Sequence, residues 1–322
     1  MSAPDAAFMI PSLPFEARCH PLWELAEDRV RTWLAKIYPH GTAADAERFE
    51  EGRAARVAGY FFPDADLEDL VTLTAMIEAI FMYDDRIAYD RSSSPEDAHA
   101  LAYRLQLVLQ TGQVEPSDDP DLIALGEILQ RIYPRQSEDW RSRFRRHIWN
   151  FLFANAAELE NRLEGHTPGL REYMAIRRET IGVLPALDLA EFAGHYELPD
   201  ILYDDPDLHE LRQCYLDIVA WMNDIYSYQR EDAAGEVNLV HVLRAENKTS
   251  LAATFDDICE MIEARISHFI ESERRFRDSD THRRITETER AAVDASVAAM
   301  KYAMAGSRRW QAEVKRYTTA QR

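Results

Sequence analysis

Three oxygen-bearing side chains recur at four-residue intervals in one apolar stretch of this chain. Asn223, Ser227 and Glu231 lie in the segment CYLDIVAWMNDIYSYQRE over residues 214–231. In an α-helix this spacing places all three on one face, over roughly 12 Å at about 1.5 Å per residue. Amide, hydroxyl and carboxylate oxygens suit a hard cation such as Mg²⁺ better than Zn²⁺ or copper. A polar helix face is usually solvated, but the preceding LDIVAWM is too apolar for an outer helix. The trio is therefore predicted to face an interior cavity, with Arg230 beside it.

A second pair of oxygen ligands ends another apolar segment. In FMYDD, Phe81 and the adjacent Asp84 and Asp85 share one helical face by the i, i+3, i+4 rule. Unpaired carboxylates are costly beside a core, so these two are expected at the rim of a cavity that Phe81 lines. The alternative is an ordinary frayed helix end. Asp90 is the next acid, and it points away if the helix continues.

Two basic pairs complete the set of residues that could bind an anion. Arg177 and Arg178 lie one turn before a predicted helix break at Gly182, and Arg316-Tyr317 follow Trp310 near the end of the last helix. Each arginine alone is most often a surface residue. Fixed arginines together with two helices of oxygen ligands are what a cation-bridged diphosphate needs.

Other acidic and catalytic motifs carry less weight. The segments 118–121 and 204–207 place a proline where a helix begins, so helix capping explains their aspartates. Residues 256–260 also read DDxxE, and a single ExxH at 96–99 lacks the second copy that a di-iron bundle needs. The sequence has no G-x-S-x-G, no Walker-type glycine-rich loop and no zinc-ligand spacing.

The elements that position these residues are all predicted to be helices. Strand-like alternation and internal repeats are absent, and no Gly/Ser-rich or Pro-rich linker interrupts the interior. We therefore expect one all-α domain over 1–322, with an irregular arm over 1–20. Helical periodicity predicts helices over 22–38, 43–60, 67–85, 97–111, 120–133, 138–163, 170–182, 186–195, 206–231, 250–275 and 284–317.

Composition narrows the class of partner. The 322 residues carry a formal net charge of -20, which argues against nucleic-acid binding, since phosphate backbones require a basic face. Cys19, Cys214 and Cys259 are far apart and odd in number, as expected for reduced thiols of a cytoplasmic protein. The N-terminus lacks the pattern of a secretory signal, and the apolar runs are shorter than the ~20 residues of a membrane span.

These motifs together resemble those of a bacterial class I terpene synthase. FMYDD is similar to the aspartate-rich motif of that family, and NDIYSYQRE matches its second metal motif, N-D-x-x-S-x-x-x-E. RRETIG resembles its diphosphate-sensing arginine followed by a glycine at a helix break, and WQAEVKRY resembles its C-terminal Arg-Tyr pair. The turn FFP and the segment VNLV also fit, so the likeness covers essentially the whole chain.

The resemblance implies an α-helical barrel around a central cavity and a carbon–oxygen lyase reaction. A linear isoprenyl diphosphate is ionised and cyclised to a terpene with release of diphosphate; farnesyl diphosphate is the first expectation and geranylgeranyl diphosphate the next. Three Mg²⁺ ions are expected, with Mn²⁺ as a substitute. The implied metal ligands are Asp84, Asp85, Asn223, Ser227 and Glu231.

Further residues receive roles only from this resemblance. Gly182 and Ile181 belong to the break that senses the diphosphate, for which Arg177 and Arg178 are alternative sensors. A third acid is usual in the first motif, but Ala88 and Tyr89 occupy its places, which leaves Asp90 as the alternative. The implied substrate-binding residues are Phe81, Arg178, Arg230, Arg316 and Tyr317, and the last two, with Arg178 and Gly182, are the implied catalytic residues.

Two other functions remain open from the sequence. A chain-elongating prenyl diphosphate synthase would share the fold and metals, but it needs a second Asp-rich motif, for which only DDICE at 256–260 is available. A non-catalytic helical binding module would leave the buried polar face without purpose. The sequence also leaves open a homodimer.

Overall fold

Helices arranged around a central cavity make up the regular structure of the chain. A computed structural model describes residues 10–39, 43–89, 94–115 and 119–318. Within those ranges every regular element is helical, and a 3₁₀ turn covers Tyr133–Arg135. The helices are α1 (Trp23–Ile37), α2 (Ala43–Gly52), α3 (Ala54–Phe61), α4 (Leu67–Tyr89), α5 (Pro95–Thr111), α6 (Pro120–Ile132), α7 (Glu138–Glu164), α8 (Leu170–Thr180), α9 (Val183–Ala193), α10 (Asp200–Tyr203), α11 (Pro206–Ala234), α12 (Leu239–Asn247), α13 (Leu251–Asp278), α14 (Asp280–Arg284), α15 (Glu287–Glu313) and α16 (Lys315–Thr318).

The longest helices divide into an inner wall and an outer layer. Helices α4, α7, α11 and α15 each present one face to the cavity. Helix α13 packs along the outside of α11, and α5 packs along the outside of α7. Because α11 is covered on both sides, its middle turns are buried almost all round, which is why LDIVAWM is continuously apolar. Among the described helices, none combines the length and the apolar character needed to cross a membrane.

Side-chain caps fix where several helices begin. The carboxylate of Asp205 accepts hydrogen bonds from the backbone N–H groups of Asp207 and Leu208 at the start of α11, and Asp119 caps α6 in the same way. Both helices have proline in their first turn, where the missing N–H would have had no helical partner. The capping predicted for these two aspartates is confirmed.

The predicted break at Gly182 is also confirmed, and its geometry explains the residue. Gly182 has φ +71°, a left-handed conformation that separates α8 from α9. A Cβ at this position would lie 3.2 Å from the Phe151 ring, so the site also lacks space for a side chain. Pro185 lies in the first turn of α9 instead of ending a helix, and α9 therefore begins at Val183, three residues earlier than predicted.

Two predicted helices are each divided in the structure. The helix expected over 43–60 is broken at Arg53, which adopts φ +48° between α2 and α3. The helix expected over 284–317 is α15, which begins after the capping box of Thr286 and ends at Glu313. Val314 is extended, so Arg316 and Tyr317 belong to the separate short helix α16.

Helix α12 was not predicted, although the sequence contains its start signal. Asn238 accepts a hydrogen bond from the backbone N–H of Val240, and its own backbone N–H donates to the ring of His241 in a capping box. The helix has only nine residues, too few for its apolar period to stand out from the loop before it.

A buried ionic network ties α9 to α7 below the cavity. Arg143 on α7 donates to Glu191 at 2.6 Å and to Asp188 at 3.3 Å, and Asp188 also contacts Nδ1 of His147 at 2.5 Å. Burial raises the pKa of Glu191 to about 8, while Arg143 opposes that rise. Several charged groups can be buried together here because each has an ion-pair or hydrogen-bond partner.

Close packing of α15 on α3 predicts the effect of one added methyl group. A Cβ at Gly306 would lie 2.5 Å from Cβ of Tyr60, and that atom is too near the backbone to move freely. We expect Gly306→Ala to lower the free energy of unfolding by about 1–3 kcal/mol through overpacking. Urea denaturation followed by circular dichroism measures the change.

The control for that experiment is Gly52→Ala. A Cβ at Gly52 would meet the Phe81 ring at 3.5 Å, an ordinary van der Waals distance. This variant should unfold at the same urea concentration as the unmodified chain or slightly above it, because alanine favours helix over glycine. Equal stability of the two variants would contradict the packing argument.

Candidate active site

The central cavity has apolar walls and a polar end. The predicted metal ligands and the arginines beside them come from the C-terminal parts of α4, α8 and α11 and from α16, so these elements converge at one end of the bundle. The apolar walls are formed by Val57, Phe61, Ile77, Ile80, Phe81, Ile87, Phe151, Leu159, Val183, Ala186, Val219 and Trp310.

On α4, the two aspartates of FMYDD take different positions. Asp84 lines the cavity, whereas Asp85 is buried and both its carboxylate oxygens accept hydrogen bonds from Arg316, at 2.6 and 2.9 Å. Arg316 also approaches Asp84 at 3.4 Å. Burial raises the pKa of Asp84 to about 6, and the positive charge of Arg316 opposes that rise. Phe81 lies one turn earlier on the same wall and stacks on Trp310, with ring centroids 5.5 Å apart.

On α11, the three predicted ligands follow the helical face that their spacing implied. Asn223 and Glu231 line the cavity. Ser227 lies between them and is fully buried, and its hydroxyl donates to the Asn223 carbonyl at 2.7 Å. The side-chain amide of Asn238 donates to the Glu231 carboxylate at 3.1 Å and fixes its orientation.

Helix α16 joins the α4 and α11 sides of the site. Arg316 binds the α4 aspartates, and the hydroxyl of Tyr317 accepts a hydrogen bond from the Asn223 amide at 2.9 Å. The guanidinium of Arg230 lies over the Tyr317 ring, 5.4 Å from its centroid. The Arg-Tyr pair therefore contacts both groups of predicted metal ligands, and the break at Val314 is what turns it towards them.

The structure places Arg177, and not Arg178, in the cavity. Arg177 donates to Asp224 at 2.9 Å and to the Asn223 side-chain oxygen at 2.6 Å. Arg178 forms a two-point ion pair with Asp217, at 2.7 and 2.8 Å, outside the cavity lining. Consecutive helical residues point about 100° apart, so only one of the pair can face the cavity. Arg178 therefore does not line the cavity, whereas Arg177, Ile181 and Gly182 do.

Arg177 is held in place by Asp224, the residue that follows the predicted ligand Asn223. This carboxylate is fully buried and accepts further hydrogen bonds from the Tyr173 hydroxyl at 2.7 Å and the Leu239 backbone at 3.3 Å. Burial raises the pKa of Asp224, and Arg177 opposes the rise. Asp224 therefore anchors α8 and α12 to α11. It is not one of the cavity-lining residues, unlike Asn223 and Glu231.

Two cavity carboxylates were missed in the sequence. Glu158 on α7 and Glu236 in the loop after α11 both line the cavity, and burial raises their pKa values to about 7 and about 8. Helical spacing could have found Glu158, because Phe151, Asn155 and Glu158 share one face of α7. Glu236 lies outside regular structure, so periodicity carries no signal for it.

Other residues considered in the sequence can be placed relative to the cavity. Phe81 lines the cavity as expected, and Trp310 lines it as well. The segment 256–260 lies on α13 and contributes no residue to the cavity, so the second motif of a prenyl diphosphate synthase has no place in the site. Asp90 lies outside the residues that the structure describes.

The donor set fits a hard divalent cation. Every predicted ligand supplies oxygen, and the hydroxyl of Ser227 spends its proton on a backbone carbonyl, which leaves its lone pairs for a cation. The cavity also holds two additional carboxyl groups, Glu158 and Glu236, whose pKa values are raised first by burial and further by the nearby acids Asp84 and Glu231. A cation bound nearby would favour their charged forms.

Comparison with known proteins gives the same assignment. Residues 75–268 match the family described as "Terpene synthase family 2, C-terminal metal binding". Pristinol synthase of Streptomyces pristinaespiralis is 30% identical over 311 residues, covering 95% of this chain and 83% of that one. The 7-epi-alpha-eudesmol synthase of Streptomyces viridochromogenes is 28% identical over 321 residues, covering 96% and 91%.

Solved structures agree with the fold. The crystal structure of a-eudesmol synthase superposes with a TM-score of 0.86 at 25% identity, covering 94% of this chain and 98% of that one. Wild-type cucumene synthase superposes with a TM-score of 0.80 at 26% identity, covering 94% and 99%. The matched family region contains both groups of oxygen ligands. The chain therefore belongs to the terpene synthase family, as an all-α bacterial class I terpene synthase, a lyase, with a divalent-metal-binding domain.

Proposed function

We propose that the chain catalyses the Mg²⁺-dependent ionisation and cyclisation of farnesyl diphosphate, with release of diphosphate and a cyclic sesquiterpene. One observation carries the proposal. Asp84 on α4, Asn223 and Glu231 on α11, and the basic α16 meet at the polar end of a cavity whose remaining walls are apolar. This division matches a substrate with a charged head and a hydrocarbon tail.

The proposed metal ligands are oxygen-bearing residues of α4 and α11, of which Asp84, Asn223 and Glu231 line the cavity. Asn223, Ser227 and Glu231 would hold one ion, and Asp84 with Asp85 would hold two others. Mg²⁺ is the metal we propose, three ions in all, with Mn²⁺ able to replace it, because all the donors are oxygen. When bound, the cations neutralise charge that develops on the departing diphosphate.

The chain's own cations would hold the diphosphate from the opposite side. Arg177, Arg230, Arg316 and Tyr317 all line the cavity. Burial opposes the charge on Arg316, but Asp85 and its neighbours raise the pKa of this side chain above its usual value, so the guanidinium stays charged. Donors fixed in this way stabilise a leaving group without reorganising at the moment of reaction. We propose that Arg177, on the helix that ends at the Gly182 break, makes the diphosphate contact that the family resemblance implied for Arg178.

The apolar walls would protect and stabilise the carbocation. Phe81 and Trp310 form a stacked aromatic pair immediately below the polar end, where positive charge arises when the C–O bond breaks. An aromatic face stabilises a nearby cation by about 0.5–2 kcal/mol. The surrounding aliphatic residues exclude bulk water, which would otherwise quench the cation.

Two further points support farnesyl diphosphate as the substrate and the cytoplasm as the location. One relative at 28% identity is named as "(2E,6E)-farnesyl diphosphate cyclizing", so we favour farnesyl diphosphate over geranylgeranyl diphosphate. Cys19, Cys214 and Cys259 form no disulfide, as in a reducing compartment, and we propose the cytoplasm.

The direct test is an incubation of the purified chain with Mg²⁺ and, separately, geranyl, farnesyl and geranylgeranyl diphosphates. We expect diphosphate release that is fastest with farnesyl diphosphate, a cyclic product in the volatile extract, and loss of both with EDTA. A longer prenyl diphosphate as product would indicate chain elongation instead. Absence of any diphosphate release would show that the protein is not a catalyst for these substrates.

The metal assignment predicts the effect of single substitutions on α11. Asn223→Ala and Glu231→Ala should each reduce Mg²⁺-dependent diphosphate release by about 10²-fold or more, because each removes an oxygen that stabilises transition-state charge. Asp232→Ala is the matched control, since this adjacent acid is exposed and pairs with His241. Circular dichroism verifies folding. Full activity in both ligand variants would remove α11 from the metal site.

The two neighbouring arginines can be separated by the same conservative change. Arg177→Lys keeps the charge but loses the forked contact to Asp224 and Asn223. We expect kcat to fall about 10–100-fold, whereas Arg178→Lys should change it by less than about threefold because Asp217 keeps its ion pair with Arg265. The opposite order would return the diphosphate contact to Arg178.

A further inference from the structure

A buried carboxamide without a partner lies in the wall of the cavity. Gln311 on α15 is 1% exposed and lines the cavity. Its side-chain oxygen has no hydrogen-bond partner among the residues that the structure describes. The cavity wall therefore contains a buried amide oxygen that no described side chain or backbone group satisfies.

A second polar group lies one turn earlier on the same helix. Ser307 also lines the cavity and is 2% exposed. Residues four apart on a helix are neighbours on one face, separated by about 6 Å along the axis. The rest of this wall is apolar, with Val57 and Phe61 contributed by α3. Ser307 and Gln311 therefore form a small polar patch on the same helix as Trp310, which also lines the cavity.

This patch is unexpected in a compartment built to exclude water. A leucine or methionine would fill the same volume without burying an unsatisfied polar group, which is unfavourable in a protein interior. Buried polar groups that lack a protein partner are commonly satisfied by an ordered water with two to four polar contacts. A hydroxyl and a carboxamide one turn apart supply at least two such contacts.

We propose that Gln311 and Ser307 hold a water molecule that captures the carbocation, so that the product of this enzyme is a terpene alcohol. The inference rests on the proposed function and adds the class of product. A lone pair on the water oxygen forms the new C–O bond, and the resulting oxonium loses one proton to the released diphosphate. Overall, one isoprenyl diphosphate and one water give one alcohol and one diphosphate. Gln311 is a positioning residue in this step and does not itself take the proton.

The first measurement needs no variant. The unmodified protein is incubated with Mg²⁺ and farnesyl diphosphate in H₂¹⁸O, and the extract is analysed by gas chromatography with mass spectrometry. We expect the main product to be an alcohol that carries one ¹⁸O atom. Diphosphate release accompanied by hydrocarbons alone would overturn this inference and leave the proposed function intact. Absence of diphosphate release would overturn both.

Variants then assign the water to this patch. Gln311→Leu and Ser307→Ala should each lower the alcohol-to-hydrocarbon ratio by about tenfold, the factor that loss of one hydrogen bond to the water supports. Diphosphate release should stay within about threefold, since neither residue is a proposed metal ligand or diphosphate contact. Gln311→Glu is the conservative variant, because a carboxyl in an apolar wall is protonated and still offers a donor and an acceptor. It should retain the alcohol. An unchanged ratio in both Gln311→Leu and Ser307→Ala would refute the assignment.

Discussion

Charges buried beside an apolar cavity must be balanced within the protein, and the arginine–carboxylate contacts at the polar end meet this requirement. Arg316 neutralises Asp85 and approaches Asp84, while Arg177 neutralises Asp224 and contacts Asn223. Each contact joins different helices, so the balance of charge also sets the relative positions of α4, α8, α11 and α16. Glu158 and Glu236 add two more buried carboxyl groups to the cavity, and burial raises the pKa of each.

Local patterns predicted the parts of the site that one helix determines. The face shared by Asn223 and Glu231 follows from the helical period alone, and the break at Gly182 follows from glycine before a helix start. Residues whose position depends on another helix were harder to predict. The choice between Arg177 and Arg178 is made by Asp217 and Asp224 on α11, which no property of RRETIG encodes.

The rigid and adjustable parts of the cavity wall are distinct. Below the cavity, Arg143 holds Asp188 and Glu191 and thereby fixes α9 against α7. At the other end of α9, Gly182 links this helix to α8, the helix that carries Arg177. Gly182 therefore separates α8, which carries Arg177, from α9, which ion pairs hold against α7.

The Arg316–Asp85 pair also has a consequence for how the molecule assembles. Its partners are separated by 231 positions in the sequence, so the contact forms only after α15 has docked onto the earlier helices. Until then Asp84 and Asp85 lack the cation that balances their charge in the native structure. Contacts between residues so far apart in sequence carry a large loop-closure cost. The polar end of the cavity is therefore complete only when the whole chain has folded. A partly folded molecule has no site at which a reactive carbocation could form.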